Sequence, residues 1–162
     1  MTVTEVSKDH EKLTMTMTAE FDAPVERVWQ MWSDPRKLER WWGPPTYPAT
    51  FVDHDLKPGG LASYFMTSPE GEKYRGWWRV VAVDPPHGMQ FEDGFADDRG
   101  EPNPQMPITK TLVTLSGRTA LMTVMTIEAT FPSAEAMEQV TAMGMEEGLI
   151  AAVGQIDALL VG

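Results

Sequence analysis

From Ala49 to Phe131 the chain is a succession of strand-like runs separated by tight-turn signals, and this pattern restricts its fold more than any other feature. TFVDHDL, a PGG turn, LASYFMTS, a SPEGE turn, KYRGWWRVVAV, a DPPHG turn and MQFED follow one another at close intervals. Connections this short join antiparallel neighbours, because a parallel crossover needs a dozen or more residues. Two more strands, TKTLVTL and TALMTVMTIEATF, meet at Ser116 and Gly117. They follow a stretch from Gly94 to Pro107 that is rich in Gly, Pro and Asp and reads as a long loop of the kind that is often functional. Ahead of the meander, LTMTMTAEF alternates without error, with Leu13, Met15, Met17, Ala19 and Phe21 on one side and Thr14, Thr16, Thr18 and Glu20 on the other. That is a half-buried strand.

Two short helices are predicted between this strand and the meander. VERVWQMW follows Pro24 and places Val25, Val28, Trp29 and Trp32 at helical spacing. Asp34 is the expected N-cap of a second helix opened by Pro35 and running through Leu38 to Trp41 and Trp42, where Gly43, Pro44 and Pro45 stop it. Adjacent side chains on a helix point about 100° apart, so one face cannot bury both indoles. Either one ring plugs the core while the other borders a cavity mouth, or both cover an open end of the sheet. The ending AEAMEQVTAMGMEEGLIAAVGQIDALL reads as one long helix capped by Ser133, with Met137, Thr141, Met145, Leu149, Ala152, Val153, Ile156 and Leu160 as its apolar stripe. Gly144, Gly148 and Gly154 lie inside it, each costing about 1 kcal/mol relative to alanine. Close approach to the sheet, or room for a ligand, would compensate.

At 162 residues the expectation is one domain, 1–162, with residues 1–11 fraying. The absence of cysteine excludes disulfides and thiolate metal sites. Thirteen basic against 24 acidic residues give a net charge of −11, which repels phosphate backbones and anionic lipid alike, so neither nucleic acid nor membrane is an expected partner. No apolar run approaches the length of a membrane span, and the reading is a soluble, cytoplasmic chain. Twelve methionines and six tryptophans bring large, adaptable apolar surface that suits a core with a hole in it.

The stretches FDAPVERVWQMWSDPRKLERWWGPP, DLKPGG and MGMEEGLIAAVGQIDALL resemble the SRPBCC superfamily of START and birch-pollen-allergen-like proteins, within it the branch named for activators of heat-shock-protein-ninety ATPase. The similarity runs from about Leu13 to Leu160. It implies an α+β helix-grip fold: a seven-stranded curved antiparallel sheet wrapped around a long C-terminal helix, with two short helices after the first strand and an apolar cavity between sheet and helix. Relatives hold lipids, sterols, polyketides or hormones in that cavity, and some catalyse cyclisation or hydrolysis there. The branch commonly has Gly followed by Trp in its last helix; here Leu149 follows Gly148, which implies a roomier cavity.

Strand alternation assigns faces. With Arg75 and Arg79 in water, Trp77 joins them and Tyr74, Gly76, Trp78 and Val80 turn inward. The family pattern turns Ala62, Tyr64 and Met66 inward. Gln90 and Glu92 outside place Met89 and Phe91 inside; Lys110 outside places Thr111, Val113 and Leu115 inside; Glu128 outside places Leu121, Thr123, Met125, Ile127 and Ala129 inside. Candidate ligand contacts are therefore Trp41, Trp42, Tyr64, Met66, Tyr74, Trp78, Phe91, Thr111, Val113, Thr123 and Met125, with Met145, Gly148, Leu149 and Ala152 from the last helix. This mostly apolar set with a few hydroxyls is how ligand pockets are lined, although the same residues could close up as solid core.

Conventional catalytic constellations are absent. His54 lies between Asp53 and Asp55, but on a strand it points away from both, so no metal site is expected. His87 is a turn residue, and no GxSxG elbow or phosphate-cradling loop is present. Glu92, Asp93, Asp97 and Asp98 surround the long loop and read as a solvated acidic segment, or as a carboxylate pair for acid and base work. The leading expectation is a protein that binds a small apolar or aromatic molecule, oriented by Tyr64, Tyr74, Trp78 and one of the paired tryptophans. No cofactor is expected, and a homodimer is admitted. Its rivals are a cyclase- or hydrolase-type enzyme using the same cavity, and a chaperone-cofactor-like interaction module.

Overall fold

The computed structural model describes residues 3–161. In chain order it contains β1 (Val3–Asp9), β2 (Thr14–Phe21), α1 (Val25–Ser33), α2 (Pro35–Leu38), β3 (Ala49–His54), β4 (Leu61–Thr67), β5 (Lys73–Asp84), β6 (Gly88–Phe95), β7 (Thr109–Thr119), β8 (Met122–Thr130), α3 (Ala134–Ala142), α4 (Met145–Val153) and α5 (Ile156–Val161). All strand pairs are antiparallel, in the order β1-β2-β8-β7-β6-β5-β4-β3. A curved antiparallel sheet with the helical C-terminal segment lying on it is the helix-grip arrangement.

The sheet has eight strands among the described residues, not seven. The additional one is β1, from the segment expected to fray; Met1 and Thr2, included in that expectation, lie outside the described residues, as does Gly162. Its sequence hides it because the register shifts between Val3 and Glu5. The bulge lets Val3 and Val6, three apart, both pack against the core, so the period-two signature never forms. Lys8 at its end pairs with Glu146 of α4 at 2.6 Å.

The last helix is three helices. Gly144 has φ +88°, a left-handed conformation that breaks the helix between Ala142 and Met145. The glycine cost predicted for a continuous helix is thus avoided at Gly144, which lies outside the regular segments. Around Gly154 the chain turns again, and the Gln155 side chain donates to the carbonyls of Trp41 (3.3 Å) and Gly43 (2.8 Å), stitching the break to the paired-tryptophan segment. The caps form as expected: Asp34 accepts from Arg36 N–H at 2.9 Å and Ser133 from Ala136 N–H at 3.1 Å. Helix α2 stops at Leu38, and Trp41 and Trp42 follow in a turn whose two N–H groups both reach the Leu38 carbonyl. Leu121, expected inside, lies in the β7–β8 turn and is 71 % exposed.

The main core cluster joins β2 and α1 to the inward residues of β3, β4, β5, β6, β7 and β8 and to Ala152, Val153, Ile156 and Leu160. Aromatic rings fill its centre. Trp32 meets Trp41 edge-on at 4.8 Å between centroids, and Trp78 stacks on Phe91 at 4.2 Å. No described helix is long and apolar enough to cross a membrane.

A cavity with a buried carboxyl

The aromatic core fills only part of the concave face. Helix α1 occupies one half, where Thr123 donates to Ala23 O at 2.7 Å and the Trp32 indole reaches Met125 Sδ at 3.4 Å. Toward the α3–α4 break lies a cavity of about 300 Å³. Its sheet wall comprises Tyr64 and Met66 of β4, Tyr74, Arg75 and Gly76 of β5, Asp93, Gly94 and Phe95 of β6, Thr109 and Thr111 of β7, and Ile127 and Ala129 of β8. Trp42 and Pro44 close one side, and Val140, Met143, Gly144, Met145, Gly148 and Leu149 form the helical roof. A Cβ built on Gly148 would find only Pro44 Cγ, at 3.8 Å, so the missing side chain there leaves open volume.

Of the residues expected at the cavity, Trp42, Tyr64, Met66, Tyr74, Thr111, Met145, Gly148 and Leu149 border it. Tyr74 does so from the rim, 53 % exposed, with its hydroxyl 3.3 Å from Glu72. Trp41, Trp78, Phe91, Val113, Thr123, Met125 and Ala152 do not line it, and all seven are closed core. For the five on strands, Trp78, Phe91, Val113, Thr123 and Met125, parity identified the inward face correctly but carried no information on how far α1 extends along the same strands. Trp78 and Phe91 stand behind Trp42, whose ring meets Trp78 edge-on at 4.9 Å. The paired tryptophans divide: Trp41 is fully buried and donates to Met31 O at 2.8 Å, whereas Trp42 faces the cavity.

Asp93 supplies the polar centre. The reading of it as part of a solvated acidic loop is corrected: it sits on β6, on the same parity as Met89 and Phe91, and its carboxyl lines the cavity. The signal was present in the alternation and was masked by three acidic neighbours. Asp93 keeps partial solvent exposure, yet protein atoms surround the carboxyl closely enough that desolvation raises its pKa to about 7, against a small opposing effect of the Tyr64 hydroxyl. Tyr64 is held well above the ordinary tyrosine value, first by burial and then by the nearby Asp93 charge. Its hydroxyl donates to Asp93 Oδ1 at 3.5 Å, a long bond. Gly76 permits the approach: Tyr64 lies across it from the neighbouring strand, and a Cβ there would come within 2.5 Å of the phenol. The Trp42 indole N–H is buried without a hydrogen-bond partner, as is that of Trp78.

The other polar candidates disperse. His54 Nε2 lies 3.0 Å from Trp32 O, and burial lowers its pKa; Asp53 accepts from Ser63 at 2.7 Å, and Asp55 faces Lys57 at 3.6 Å. Asp97 accepts from the N–H groups of Arg99 and Glu101, organising its own turn, and Glu92 pairs with Arg79 on the outer face.

A protein from Mycobacterium smegmatis, Ms6760, is 52 % identical over 98 % of this chain and 96 % of its own, with a TM-score of 0.90. An Arthrobacter aurescens protein is 50 % identical over 99 % and 92 %, with a TM-score of 0.95, and one from Staphylococcus epidermidis is 26 % identical over 97 % and 93 %, with a TM-score of 0.83. No curated protein matches. The family model for activator of Hsp90 ATPase homolog 1-like protein matches residues 22–161, from the end of β2 through α5, and its fold supports a ligand-binding cavity. The chain therefore belongs to the activator of Hsp90 ATPase homolog 1-like family.

Proposed function

We propose that the protein binds a small apolar or aromatic molecule in the cavity between the sheet and α4. The observation that carries this reading is the open volume of about 300 Å³ beneath Gly148, walled largely by apolar groups with a few placed polar ones. Burial of ligand surface supplies affinity at about 25 cal/mol per Å² of apolar area. Trp42, Tyr64 and Met145 are the proposed principal contacts. The Gly148→Phe variant tests the reading, because its ring would occupy the open volume without displacing backbone. Binding of N-phenyl-1-naphthylamine, followed by its fluorescence, should drop at least tenfold while the circular dichroism spectrum is retained. Equal uptake by both proteins would sink it.

A second reading, catalysis of the cyclase or hydrolase kind in the same cavity, draws on one feature. A carboxyl with a pKa of about 7 beside a phenol is poised for acid and base work. Recovery of a bound ligand chemically unchanged after long incubation would count against it.

A further inference from the structure

Two hydrogen-bonding groups on the cavity wall lack a full set of partners. The Trp42 N–H has none, and the Asp93 carboxyl has only the long contact from Tyr64. Both residues border the cavity, but the Trp42 nitrogen is covered and lies against the Tyr64 hydroxyl, so the capacity open to whatever fills the cavity is that of the Asp93 carboxyl. Resting on the ligand-binding reading above, we propose that the cavity selects neutral aromatic carbonyl compounds, the carbonyl oxygen accepting from Asp93 in its acid form, and that ionisation of Asp93 releases them.

The surroundings of Asp93 favour a neutral ligand over a cationic one. Tyr64 on β4 is the titratable side chain within reach. The cross-strand partners of Asp93, Trp78 on β5 and Thr109 on β7, carry no charge, and the roof contributes Met145, Gly148 and Leu149. Arg75 contributes to the lining, but its guanidinium lies over the Phe65 ring, 5.3 Å from the centroid. Arg79, Glu92 and Lys110 belong to the outer face, the first two paired with each other, and Glu146 is engaged by Lys8. Nothing in the wall balances a carboxylate, so burial favours the acid form, which donates. In that form Asp93 presents an O–H donor, which a carbonyl oxygen can accept. An ammonium ligand would instead require a desolvated ion pair, which is seldom net favourable.

Three probes of one shape separate the possibilities: 2-acetylnaphthalene, which carries the carbonyl; 2-ethylnaphthalene, which lacks it; and 1-(2-naphthyl)ethylamine, which is cationic. Binding is measured by calorimetry or tryptophan fluorescence at about pH 6 and about pH 8.5. The ketone should bind roughly tenfold tighter than the hydrocarbon at the lower pH. It should weaken up to about tenfold at the higher pH, to the level of the hydrocarbon, as the acid form of Asp93 is depleted. The hydrocarbon should not change. Asp93→Asn, which keeps a neutral donor, should hold the ketone at both pH values. Equal, pH-independent binding of ketone and hydrocarbon overturns this proposal while leaving the ligand cavity intact. Preference for the amine at the higher pH overturns it in favour of a carboxylate site. Failure of all three to bind overturns both this proposal and the reading beneath it.

Discussion

The Tyr64 hydroxyl reaches across β5, over Gly76, to place its oxygen 3.5 Å from Asp93 Oδ1 on β6. Three strands take part, and the middle one contributes only the absence of a side chain. A phenol and a carboxyl thereby meet on a wall that is otherwise largely apolar. Burial raises the pKa of both groups, and the Asp93 charge raises that of Tyr64 further.

Asp93 should make stability depend on pH in a defined direction. Its folded pKa of about 7 stands above the unfolded value, so the folded state binds a proton more tightly. The contribution is therefore fully present below about pH 4 and is lost as pH rises toward 7. Urea denaturation of wild type and Asp93→Asn at about pH 5 and about pH 8 should show wild type losing about 2 kcal/mol relative to the variant between them. A constant difference would refute the burial of this carboxyl.

Gly76→Ala should be destabilising although the position is an ordinary strand residue. The added Cβ would stand 2.5 Å from Tyr64 Cζ and Oη, so the ring must leave Asp93 or the strands must part. The expected cost is about 2 kcal/mol by chemical denaturation. Loss of the alanine penalty in a Gly76→Ala, Tyr64→Ala double variant would locate the clash; an unchanged penalty would place its cause elsewhere.

Trp41 and Trp42 should respond differently to phenylalanine. Trp41→Phe removes a fully buried indole and leaves Met31 O without its donor, for a loss of about 3 kcal/mol. Trp42→Phe removes an N–H that has no partner and should cost about 1 kcal/mol. Thermal and urea unfolding of the two variants check the order, and a reversed order contradicts the division of the rings between core and cavity.

Gly144 and Gly148, one helical turn apart, should give opposite signs when replaced by alanine. At Gly144 the positive φ of 88° opposes any L side chain, and the variant should lose about 1 kcal/mol. At Gly148, inside α4, an added methyl would meet its nearest neighbour at 3.8 Å, and alanine should gain about 0.5 kcal/mol from helix propensity. Urea unfolding of the two variants reads the signs, and two destabilised proteins would indicate that the roof is tightly packed at Gly148.

Much of the fold follows from periodicity alone. Error-free alternation in Thr14–Phe21 and the charged positions Arg75, Arg79, Lys110 and Glu128 assign faces to four strands, because a pleat offers each side chain only two directions. Pro24, Asp34 and Ser133 mark helix starts for equally local reasons. Strand β1 escaped because its bulge breaks the parity that makes a strand visible.

The local sequence thus determined where strands and most caps lie and which side chains share a face, since those depend on backbone geometry within a few residues. Only the tertiary structure decided which inward residues border the void and which are covered by α1, and it decided that Asp93 sits in the wall with a raised pKa. Empty volume and desolvation are properties of atoms brought together from distant strands and the helical roof, and no single strand's pattern contains that distance.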